Sequence, residues 1–209
     1  MRKIQYIAII VALLSIILTN LFYPTLPEKL ASHWNSEGIV DGYLPKGLGS
    51  FLLPAFALFI VLLCIFLQKK DKLTTEKNNV YLDSTILILS LFFMYVQLLI
   101  LFWNAVQPFN MIYYLLPGII ILLYFCGHVM EHVSRNEIAG YRLPWTLKSE
   151  KIWKKTNVLG GKLFKLVSII SIFSFFIKEG LIFLFVIPIV LSVIGTIIYS
   201  YIIYKKDKK

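Results

Sequence analysis

Residues 50–68 read SFLLPAFALFIVLLCIFLQ, nineteen consecutive positions without a charged side chain, and Lys69 and Lys70 close the run. A bilayer's hydrocarbon core takes about 20 apolar residues of helix to cross, so this stretch has spanning length. A helix covering a soluble core would instead carry its apolar residues as one stripe with charges opposite. Similar runs lie at Ile4–Phe22, Thr85–Trp103, Met111–Met130, Leu163–Ile177 and Leu181–Tyr204. An unpaired backbone N–H or C=O in hydrocarbon costs several kcal/mol, so such runs are helical unless they close into a barrel. Barrel strands would be shorter and would alternate in polarity, and these do not. The sequence predicts an all-α integral membrane protein of six spans. The fifth is the shortest, with Lys165 near its start able to snorkel toward the headgroups.

Composition agrees. Of 209 residues, 58% are hydrophobic and 15% charged, against about a quarter charged in soluble domains. The net charge of +10 is not gathered on one module, which argues against direct nucleic-acid binding. Of the 21 lysines and arginines, 18 fall on one side of the predicted topology: the two chain ends, Lys69–Lys77 and Arg135–Lys165. The other side holds only Lys29, Lys46 and Lys178. Basic loops stay cytoplasmic, so both ends are expected inside. Met1-Arg2-Lys3 followed by Ile4–Leu21 resembles a signal peptide, but Thr19-Asn20-Leu21-Phe22-Tyr23 is too bulky for cleavage, and a first spanning helix is expected. Cys64 and Cys126 each sit inside an apolar run and suggest no disulfide. Pro54, Pro117 and Pro188 should kink their spans or leave carbonyls for a neighbour to satisfy, although most prolines within spans are only packing features. Asn104–Asn110 and Lys178-Glu179-Gly180 are short enough to be tight turns.

Two connections are long. The outer one, residues 23–49, is rich in proline, glycine and Asp-Gly, with Tyr23, Trp34 and Tyr43 as interface-seeking aromatics. It reads as a folded cap on the outer headgroups, with Tyr23, His33, Trp34, Asp41 and Tyr43 as candidate binding residues. The inner one, residues 131–162, contains Pro144-Trp145-Thr146 and then a basic helical stretch. Thr146 is the expected N-cap of a short interfacial helix, with Ser149 and Glu150 in its first turn and Gly160-Gly161 at its end. Arg142, between Tyr141 and Trp145, is placed for a cation–π contact or a lipid phosphate.

Together these segments resemble known sequences. Tyr23-Pro-Thr-Leu-Pro, His33-Trp34, Gly38 and Asp41-Gly42-Tyr43 resemble a small membrane module of unknown function. The second pattern is Asn136, Gly140-Tyr141-Arg142, Pro144-Trp145-Thr146-Leu147, Glu150, Trp153 and Thr156. It resembles the hallmark of the SdpI family of bacterial membrane proteins. The chain departs from that pattern at Asn157 and Val158, where the family commonly has histidine and a basic residue.

The resemblance implies a multi-pass protein of the bacterial cytoplasmic membrane, without cofactor, that protects the cell from a secreted membrane-active peptide toxin. It also implies a cytoplasmic transcriptional regulator as a possible second partner besides membrane lipids. On this view residues 1–68 form a first helical hairpin with the cap, and residues 85–204 a four-helix SdpI-like domain with the cytoplasmic loop. The binding candidates of that loop are Asn136, Tyr141, Arg142, Pro144, Trp145, Thr146, Ser149, Glu150 and Trp153. Read without the resemblance, the same inner motif is equally what a rigid buried turn needs.

Two other classes stay open. His128-Val-Met-Glu131-His132 is an H-x-x-E-H string that could place two imidazoles on one zinc ion with Glu131 as base and Glu137 or Glu150 as a further ligand. A solute or ion transporter would need polar groups within the spans, and here these are Gln97, Asn20 and scattered serines and threonines. Such groups more often join helices to one another.

Overall fold

The computed structural model describes residues 1–177 and 180–207. Among the described residues there are six helices long and apolar enough to cross a membrane: α1 (Lys3–Phe22), α2 (Lys46–Lys70), α3 (Glu76–Ala105), α4 (Met111–His132), α5 (Glu150–Ser171) and α6 (Ile187–Asp207). The protein is an all-α multi-pass membrane protein. Among the described residues its only strands lie in the cap, an antiparallel hairpin of β1 (Lys29–Trp34) and β2 (Val40–Pro45). The tight hairpin expected at Lys178-Glu179-Gly180 involves residues outside those described.

Two compact units make up the chain. The first is Met1–Phe66 with Ile86–Ile119; the second is Leu67–Thr85 with Ile120–Lys209. In the first, α1 shows the inverted polarity of a membrane helix. Gln5, Ala8, Ala12, Ser15 and Thr19 are buried, while Ile7, Ile10, Leu14, Ile17 and Leu21 are exposed. The buried set recurs at three- and four-residue intervals, so it forms one face of small and polar groups that admits close helix contact. Gln97 of α3 uses that face: its Nε2 donates to Thr19 Oγ1 and to the Ser50 carbonyl, both at 3.0 Å. Ser90 donates to the Ala8 carbonyl at 2.7 Å. Gln97 is thus a helix-joining group. Ala8, Ala12, Val61, Ile65 and Ile86 complete this apolar core.

In the second unit, Leu82, Val129, Val133 and Trp153 form the core. Two readings need correction here. The interfacial helix and the fifth span are one continuous α5 that does not stop at Gly160-Gly161. Those glycines instead let α5 touch α4: a Cβ on Gly161 would lie 2.5 Å from the Gly127 carbonyl oxygen, and one on Gly127 would lie 2.6 Å from that of Gly161. The N-cap of α5 is Ser149, whose hydroxyl accepts from Ile152 N, and not Thr146. Ahead of Pro188 the chain runs as a π-helix over Ile182–Val186, the widened turn by which a proline's missing donor is accommodated.

The charge-based orientation has a direct check. In a cysteine-free background, Glu37→Cys should react with a membrane-impermeant maleimide on intact spheroplasts. Lys154→Cys should react only after lysis. The reverse pattern would invert the topology.

Candidate functional site

The cap is built on its hairpin. β1 and β2 pair Lys29 with Pro45, Leu30 with Leu44 and Ala31 with Tyr43, then slip at His33 and Trp34. Asn35 Oδ1 accepts from Glu37 N and Ile39 N, and Gly38 takes a left-handed φ of 79° to close the turn. Two asparagines outside the hairpin hold it. Asn104 Oδ1 accepts from Ala31 N at 2.8 Å and its Nδ2 donates to Ala31 O at 3.2 Å, occupying the outer edge of β1 as another strand would. Asn110 Nδ2 donates to the Glu37 carbonyl. Underneath, Leu26, Leu30 and Leu101 pack as a small core.

The cap candidates do not converge on one point. His33 is hydrogen-bonded to Asp41 across the strands, and both are exposed. Tyr43 is exposed. Tyr23 packs against Phe51, with the Lys46 ammonium 4.9 Å above its ring. Trp34 meets Trp103 edge-on at 5.6 Å and lines a cavity of about 640 Å³. That cavity also takes in Leu44 of β2, Leu52 and Phe56 of α2, Ile100 of α3 and Leu115 of α4.

The inner motif is a hydrogen-bonded scaffold. Asn136 is fully buried: Oδ1 accepts from Ile138 N and Ala139 N, both at 2.8 Å, and Nδ2 donates to Ser134 O at 2.9 Å and Ala139 O at 3.2 Å. An aspartate would keep the turn and lose the donors. Gly140 (φ 108°) brings the chain against Asn157, whose Oδ1 accepts from Tyr141 N at 2.7 Å; a Cβ there would sit 2.4 Å from that oxygen. Asn157, at the position of departure from the family pattern, is therefore part of the turn. Thr146, also buried, accepts from Leu143 N and donates to Tyr141 O, clasping the Pro144 turn. Pro144 itself is exposed.

Both tryptophans anchor this scaffold. Trp153 is 1% exposed and donates to Val133 O at 3.1 Å. Trp145 stacks on Tyr204 and donates to Ser200 Oγ at 2.8 Å, which also receives the Thr156 hydroxyl. Glu150 pairs with Arg135, whose Nη1 donates to Leu147 O. The cation–π contact expected of Arg142 is replaced by a 2.7 Å bond from its Nη1 to Glu137 O, and the side chain is exposed. Burial pushes the Tyr141 phenol up, with the Thr196 hydroxyl pulling the other way, so it is neutral at physiological pH.

Sequence reasoning missed two further members. Asp71 accepts from Leu73 N and from Glu137 N, and Asn78 binds Ser134 through both its amide atoms. Their signal was a polar residue near a span end, which usually means nothing more than solvent.

The H-x-x-E-H string does not assemble a metal site. His128 and His132 lie against each other and against Tyr81, and His132 Nδ1 is bonded to its own His128 carbonyl. Glu131 Oε2 is 2.6 Å from Lys165 Nζ. Among the described residues no group of three or more His, Cys, Asp or Glu converges to hold a metal.

Fold and site define a six-span membrane protein with a hairpin cap and an internally bonded Asn–Gly–Pro-Trp-Thr turn. Its sequence is similar to that of the SdpI family. Residues 132–200 match the model of the SdpI/YfhL protein family, and residues 10–58 match that of DUF1648, a domain of unknown function. The chain is 28% identical over 207 residues to "Immunity protein SdpI" of Bacillus subtilis (strain 168), covering 98% of this chain and 97% of that protein. No solved structure matches.

Proposed function

We propose that this chain is a non-enzymatic immunity protein of the bacterial cytoplasmic membrane, protecting its cell from a secreted membrane-active peptide. One observation carries the reading: similarity to an immunity protein runs through almost the full length of both chains, so it includes cap, spans and inner motif alike. With the orientation expected from charge, the hairpin faces the side from which a peptide arrives. Its exposed face, His33 with Asp41 and Tyr43, is the proposed contact. Signalling to a cytoplasmic transcriptional regulator is the second part of the proposal. The exposed Arg142 and Lys148 are its docking candidates, because Asn136, Thr146 and Trp153 are buried within the turn.

The test is survival. Expressed in a bacterium sensitive to such a peptide, the protein should raise survival by at least about tenfold, and His33→Ala should reduce that protection at equal membrane abundance. Arg142→Ala should leave survival unchanged and lower peptide-dependent transcription. Absence of protection against every membrane-active peptide tried would overturn the reading.

A further inference from the structure

The cavity beneath the hairpin is lined almost entirely by carbon, with three polar side chains at its wall: Ser32, His33 and Trp34. Two of the three are already engaged. Ser32 donates to the Gly42 carbonyl and His33 is bonded to Asp41. Trp34 is different, because its Nε1–H is buried and has no acceptor among the described residues. Its neighbour Trp103 shows the ordinary case, donating to the Phe109 carbonyl at 3.0 Å. A buried donor left unmade is destabilising, so a ligand that brings an acceptor is favoured there.

We propose that this cavity binds one acyl chain of a membrane lipid, whose ester carbonyl accepts the Trp34 hydrogen bond. Three observations fit that chemistry. The volume of about 640 Å³ lies within the range of small-ligand sites. The cavity lies where β1 and β2 meet the ends of apolar helices, and tryptophan belts at span ends mark the headgroup level of a bilayer. An ester accepts and donates nothing, matching a wall with one free donor. The inference stands apart from the immunity reading.

Lipid photolabelling tests it. The full chain is placed in nanodiscs containing phosphatidylglycerol with a diazirine in one acyl chain, either ester-linked or ether-linked but otherwise identical. Adducts are mapped by mass spectrometry. The ester lipid should label the half-buried lining residues Leu53, Val96 and Ile100 at least about fivefold more than the exposed Leu191 of α6. The ether lipid should label the cavity about five- to tenfold less than the ester, the ratio expected for one hydrogen bond of about 1–1.4 kcal/mol. Trp34→Phe should erase the ester–ether difference. Equal labelling by the two lipids, or a lining labelled no more than Leu191, overturns the proposal. So does a lining that excludes both lipids and accepts a peptide instead. The ester–ether comparison uses the unmodified protein and stays decisive if the variant does not fold.

Discussion

Gly161→Leu is expected to abolish recovery of folded protein, and Gly127→Leu to do the same. At each position the atom in the way is a backbone carbonyl oxygen of the other helix, 2.5–2.6 Å from the added Cβ. A flexible side chain could move aside, but here α4 and α5 must separate. Overpacking alone costs about 1–3 kcal/mol. Separation would also part Lys165 from Glu131, which are only 24% and 14% exposed. Breaking a buried pair by removing one partner costs about 3–5 kcal/mol, and partial exposure lowers that figure here. The combined loss approaches the whole stability of a domain of this size. Gly195→Leu is the matched control: nothing lies within 4 Å of its Cβ, and it should behave as wild type. Fluorescence-detected gel filtration after graded heating in detergent reads both outcomes. A monodisperse Gly161→Leu protein with an unchanged melting temperature would refute the close crossing.

Trp153→Ala is the second large effect, an expected loss of about 3–5 kcal/mol for a large buried side chain cut to a methyl group. Trp153 fills the middle of the core with Leu82, Val129 and Val133, and its indole N–H holds the Val133 carbonyl where the chain leaves α4. Trp153→Phe keeps much of the packing and drops the bond, so it should cost nearer about 1–2 kcal/mol. The same melting assay should rank wild type above Phe above Ala. If Phe and Ala were equally damaging, the hydrogen bond rather than the packing would dominate.

These predictions lean on residues that differ in how visible they were beforehand. Trp153 stands in a recognisable pattern, whereas Gly127 sits unremarked in an apolar run and Gly160-Gly161 imitates a helix stop. Glycine after a polar stretch is a common helix end, yet here two helices need the missing side chains to approach. Thr146 misled for a related reason. A threonine after proline suits an N-cap, but its hydroxyl closes the turn over Tyr141 and Leu143, leaving the cap to Ser149 three residues later. The cap was legible as folded from its proline, glycine and Asp-Gly content. Its strands were not, because Leu30, Ala31 and His33 do not alternate cleanly through the slipped register.

What the sequence determined by itself is the set of spans, since uninterrupted apolar length has only one helical solution in hydrocarbon. The expected orientation also rests on the sequence, because it depends on counting lysines and arginines and on no contact at all. Tertiary structure decided what the polar residues do. Asn136, Asn157, Asn104 and Gln97 read alike as amides, and only their neighbours make two of them turn-formers, one a stand-in strand and one a helix clasp. An amide has two donors and two acceptor sites, and which groups meet them is set by residues as far as 78 positions away.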